Sequence, residues 1–115
     1  MEGSFIEENA ILSRVDMDRI LRSYRKLNEA LTVSRSHFSA DVVNLDETAV
    51  LAEMYSLRAM ILSANDPKER LLLYHYYVKG QTLETCAKLL GISKRSVCRL
   101  KNRALENLII KSQKS

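Results

Sequence analysis

Apolar residues recur along this chain at intervals of three and four and nowhere alternate for long. From Ser13 onward, Met17, Ile20, Leu21, Tyr24, Leu27 and Leu31 draw one stripe down a helix. Ser13 supplies the cap, and Asp16 three residues later makes an acidic variant of the capping box. The other face, with Asp18, Arg22, Arg25, Lys26 and Glu29, reads as solvated. Thr32 to Leu45 breaks the pattern with β-branched and short polar residues that compete for backbone hydrogen bonds, and reads as a linker. A second helix is expected from Asp46, as its cap, to about Leu62. Leu45 and Val50 stand where a hydrophobic staple needs them, and Val50, Leu51, Met54, Tyr55, Leu57 and Ile61 are its expected core.

The stretch SANDPKER is the sharpest boundary. Asp66 can cap, and Pro67 suits a first helical position, where its missing N–H would have no partner. Glu69 would complete the capping box. This third helix should close near Gly80, where glycine can turn left-handed. Thr82 then opens a fourth helix that ends at Gly91, and Ser93 opens a fifth that runs to about Ile110. Three glycines and one proline in 115 residues support long helices over a turn-rich β sandwich. The expected fold is all-α with about five helices: an N-terminal helical segment over 1–62, and a helix-turn-helix over 63–115.

Charge sharpens that division. From Lys79 onward there are nine Lys or Arg and two acids, a balance of +7, whereas residues 1–78 hold nine and twelve, a balance of −3. Such asymmetry points the C-terminal part at a polyanion. In the helix-turn-helix, Cys86, Ala87, Leu89 and Leu90 are expected to face inward from the fourth helix, Ile92 to fill the corner, and Val97, Leu100, Ala104 and Leu108 to line the fifth. The remaining face presents Lys94, Arg95, Ser96, Arg99, Asn102 and Arg103. Arg can bond guanine O6 and N7 in pairs, and Asn can do the same to adenine. Lys and Ser more often hold phosphates. Ser93 should cap the helix rather than read bases. Lys101 falls nearer the core seam.

The stretch ERLLLYHYYVKGQTLETCAKLLGISKRSVCRLKNRALENL resembles region 4 of the sigma-70 family and the related phage regulators of the ArpU and RinA type. The shared frame is Arg70, an apolar helix ending in an aromatic and Gly80, then Thr82-Leu83-Glu84, Ala87, LGIS, Val97 and RALENL, within residues 66–108. Residues 1–60 do not resemble sigma region 2, so the phage-regulator version suits the chain's size. The resemblance implies double-stranded DNA as partner, with Lys94, Arg95, Ser96, Arg99 and Arg103 on the DNA side. It also implies that Thr82, Glu84 and Thr85 approach the backbone or a base edge.

Other chemistry finds little support. Cys86 and Cys98 lack the spacing of a zinc site and are expected to be free thiols, Cys86 in the core and Cys98 bordering the DNA face. Tyr74 to Tyr77 reads as core rather than a base-stacking platform, and His75 as structural. The two histidines stand far apart, and no nucleophile–base pair or phosphate loop appears, so neither metal, cofactor nor enzyme activity is expected. No apolar run reaches the roughly 20 residues of a membrane span. The acidic start MEGSFIEENA is unlike a signal peptide, so a cytoplasmic, nucleoid-associated protein is expected. Two rivals stand beside a transcription regulator. One is an adaptor that docks on RNA polymerase, with the N-terminal helices binding a partner or forming a homodimer. The other is a small terminase-like subunit that recognises DNA for packaging. The stripe from Met17 to Leu31 serves equally as intramolecular core or as a dimer seam.

Overall fold

The computed structural model describes residues 12–37 and 45–114, and no strand occurs among them. Five helices follow in order: α1 Arg14–His37, α2 Leu45–Leu62, α3 Pro67–Leu73, α4 Leu83–Leu90 and α5 Lys94–Lys114. α3 passes directly into one π turn, Tyr74–Val78.

The expected caps form, with differences that tertiary packing explains. Ser13 N–H donates to Asp16 Oδ2 at 3.2 Å, and Asp16 N–H returns to Ser13 Oγ at 3.1 Å. α1 then continues to His37, through residues expected as linker. Thr32 Oγ1 donates to Asn28 O at 2.9 Å, so its hydroxyl follows the helix. Leu31 is buried, and packing of that stripe outweighs the weak local propensity. The rest of the expected linker, 38–44, and the side chains of residues 33–37, Leu45 and Asp46 lie outside the described residues. α2 starts at Leu45, which puts Asp46 inside its first turn instead of at the cap. Tyr55 is 62% exposed, against expectation, since it stands one residue, about 100°, round the helix from buried Met54. Asp66 caps α3 by accepting from Lys68 N–H at 2.9 Å. Glu69 does not close a capping box, because its carboxylate is buried against α5.

The main core joins both halves of the chain. Met17, Leu21, Tyr24 and Leu31 of α1 meet Met54, Leu57 and Ile61 of α2, Leu73 and Tyr77, and Ala104, Leu105, Leu108 and Ile109 of α5. Residue 62 therefore does not separate two cores. α1 and α2 close over the π turn and the stem of α5. The stripe that offered a dimer seam is occupied by the chain's own residues. A smaller cluster of Leu72, Cys86, Ala87, Val97 and Leu100 holds α4 onto α5.

A polar network reinforces this closure and engages two residues of the face expected to be solvated: Asp18 becomes partly buried, while Arg22 stays exposed. Tyr77 O–H donates to Asp18 Oδ1 at 2.5 Å, and Arg22 Nε donates to Asp18 Oδ2 at 2.7 Å. Arg22 Nη2 also donates to Tyr76 Oη at 2.8 Å. From α5, Lys101 Nζ lies 4.0 Å from Asp18 and 5.2 Å from the Tyr76 ring centre, near the seam as expected. Burial by itself raises the Asp18 carboxyl, but hydrogen bonds from Tyr77 and Arg22 and the charges of Arg22 and Lys101 outweigh it, leaving the group below its ordinary value. Burial and the same carboxylate hold the Tyr77 hydroxyl protonated.

The Asp18 contribution is complete above the unfolded value of about 3.9 and fades as pH falls through the lower folded value. Asp18→Asn is expected to melt below wild type at neutral pH and to lose less between about pH 6 and pH 3. Melting curves of both proteins across that range provide the check. Equal losses would show that the network carries no charge-dependent stability.

Candidate nucleic-acid interface

Two helices and a tight turn build the site. Thr82 Oγ1 accepts from Thr85 N–H at 3.1 Å and starts α4. Gly91 ends it at φ +67, and Ile92 N–H reaches back to Ala87 O at 3.0 Å, satisfying a carbonyl that the helix end leaves open. Ser93 Oγ accepts from Ser96 N–H at 3.1 Å and starts α5. α4 and α5 thus meet across Gly91-Ile92-Ser93, as the sequence predicts. Within α4, Cys86 and Ala87 are buried and Leu90 is partly so. Leu89 is 52% exposed instead of inward. It lies about 100° from Leu90 on the side away from Ala87, where α5 does not reach.

Val97, Leu100, Ala104 and Leu108 are buried as expected, together with Leu105 and Ile109. They pin the inner face of α5 and leave its outer face free. Lys94, Arg95, Cys98, Arg99 and Asn102 are all exposed there. Among the described residues no ion pair engages Lys94, Arg95 or Arg99. Glu106, farther along α5, is 3.7 Å from Arg14. The N-terminal half of α5 therefore presents unneutralised guanidinium and ammonium groups, with Asn102 only about 20° from Arg95 in projection.

The two caps also organise polar groups beside those cations. Thr82 Oγ1 donates to Thr85 Oγ1 at 3.0 Å, and Ser93 Oγ donates to Ser96 Oγ at 3.0 Å. Each cap hydroxyl is used twice inside the fold. Thr85 and Ser96 accept and keep their own hydroxyl protons to donate outward. Glu84 is exposed in the first turn of α4, where the helix dipole favours its charge. Cys98 is exposed, as expected, while burial pushes the Cys86 thiol up and leaves it inert.

Arg103 is held elsewhere. It sits about 100° round α5 from Asn102, towards α3. Its Nε donates to Glu69 Oε2 at 2.8 Å, and its Nη2 donates to Asp66 Oδ2 at 3.2 Å. Asn107 Nδ2 donates to both Glu69 oxygens at 3.0 Å. No local pattern announces this clamp, because Glu69 and Arg103 are 34 residues apart. The sequence also gives no warning about Arg25, whose guanidinium from α1 reaches the opposite flank of the helix-turn-helix.

These features define a helix-turn-helix module with a cationic outer face on its second helix. The family model described as Sigma-70, region 4 matches residues 62–108, from the last residue of α2 to Leu108 in α5. The helix-turn-helix of this chain is similar to that region. Neither a curated protein nor a solved structure matches the chain. No described helix is long and apolar enough to cross a membrane.

Proposed function

We propose that the chain is a sequence-specific, double-stranded-DNA-binding transcription regulator of the phage type, with the N-terminal half of α5 in the major groove. One observation carries this reading: Lys94, Arg95, Arg99 and Asn102 share an exposed face of the second helix of a sigma region 4-like helix-turn-helix. Arg95, Arg99 and Asn102 have the donors that read base edges. Lys94, Thr85 and Ser96 flank them as phosphate contacts that fix the register. The chain acts by binding and catalyses nothing, and at a promoter it stands beside RNA polymerase.

Selection of bound sequences from a random duplex pool, with the full chain, tests the proposal. A promoter-like consensus supports it. A packaging-site sequence would make the chain a small terminase-like subunit, and failure to bind any duplex would make it a protein adaptor. On the selected site, Arg95→Ala or Arg99→Ala is expected to cost about 1–3 kcal/mol and to blur preference at one base position. Unchanged affinity of both variants for every duplex would remove α5 as the recognition helix.

A further inference from the structure

We propose that α1 is part of the DNA-binding surface, its Arg25 gripping, with Lys94, a backbone phosphate beside the start of α4. The proposal rests on the DNA-binding reading above and extends it to a helix outside the helix-turn-helix. Arg22, Arg25, Gly80, Thr82, Glu84 and Lys94 all line one open concavity of about 380 Å³, so α1, the turn before α4 and the first turns of α4 and α5 meet there. Arg22 is already committed to Asp18 and Tyr76. Arg25 and Lys94 are exposed, and no described residue pairs with either. Glu84 supplies an opposing charge in the same lining. The two unpaired cations outnumber it.

The turn is shaped to let Arg25 in. Gly80 has φ +72, and a Cβ there would stand 3.3 Å from Arg25 Nε. The glycine thus satisfies a left-handed turn and leaves room for the guanidinium across it. Lys94 belongs both to this concavity and to the end of α5 that carries Arg95. When that end enters a major groove, the first helix of the motif crosses the flanking backbone. A phosphate there meets the planar fork of Arg25, which suits bidentate bonding to its oxygens. The N-terminal helices then have a task that needs no partner protein: they carry one cation to the edge of the duplex.

The test compares wild type, Arg25→Ala, Arg25→Glu and Arg95→Ala, all as full chains, on the selected site and on a random-sequence duplex over a salt series. Arg25 is exposed, so matching melting curves establish that the variants fold. Arg25→Ala is expected to weaken both duplexes equally and to reduce the slope of log affinity against log salt by about 0.9, the share of one phosphate. Over a fourfold change in salt, that is roughly a 3.5-fold smaller change in affinity. Arg25→Glu should weaken binding further, with sequence preference intact. If the Arg25 variants bind like wild type, with the same salt slope, while Arg95→Ala weakens the selected site, the role of α1 is overturned and the recognition helix stands. If wild type binds neither duplex, the DNA-binding reading fails and takes this proposal with it.

Discussion

A fragment beginning at residue 63 is expected to lose the cooperative thermal transition of the full chain. The family match and the charge asymmetry both suggest that the C-terminal part can stand alone. The core says otherwise. Without α1 and α2, Leu73, Tyr77, Leu105 and Leu108 lose the side chains that cover them. All four are buried to 2% exposure or less in the full chain. At about 1.5–3 kcal/mol for each large apolar side chain, laying them bare would cost roughly 6–12 kcal/mol. That is comparable to the entire stability of a small domain, about 5–15 kcal/mol. The small cluster around Leu72, Cys86 and Val97 would be left to hold α3, α4 and α5 together. Circular dichroism during heating reads the outcome directly: a shallow, non-cooperative decline for the fragment beside a sigmoidal melt for the full chain. A fragment that melts cooperatively near the full chain's Tm would show that residues 1–62 are an appendage after all.

Arg103→Ala is expected to destabilise the fold by about 2–3 kcal/mol, more than any other change on the cationic side of α5. Glu69 is the reason. Its side chain is 3% exposed, while that of Arg103 is 59% exposed. Losing the arginine leaves a buried carboxylate without its cation, a situation that typically costs about 3–5 kcal/mol. The figure here is lower because Asn107 still donates to the carboxylate and Arg103 is itself partly in water. The double variant Arg103→Ala with Glu69→Gln should recover much of the loss, since a neutral amide tolerates that site better than an unpaired charge. Urea unfolding of the single and double variants measures both effects. If Arg103→Ala unfolds like wild type yet binds DNA more weakly, the clamp is incidental and Arg103 belongs with Arg95 and Arg99.

The two variants also separate meanings of charge that the sequence presents as one. Lys94, Arg95, Arg99, Lys101 and Arg103 look like a single basic run. Periodicity sets Lys101 apart, and the structure places it over Tyr76 near Asp18. Periodicity does not set Arg103 apart, because its acids come from α3. Leu89 fails in the opposite direction. It is as apolar as Leu90, but nothing packs over its side of α4 closely enough to bury it.

The sequence by itself determined what depends on neighbours within a turn or two. Helix number, the caps at Ser13, Asp66, Thr82 and Ser93, the turns at Gly80 and Gly91, and the exposed cations at the start of α5 all arise from short-range hydrogen bonding and a 3.6-residue period. Only the tertiary structure decided what those helices do to one another. It carried α1 on to His37, joined both halves in one core, and tied Asp18 and Arg22 to the tyrosines of the π turn. It also gave Arg103 to Glu69 and brought Arg25 and Lys94 to the lining of one concavity. Each of these outcomes depends on residues tens of positions apart that meet only after the chain has folded, and no local pattern encodes which of them will meet.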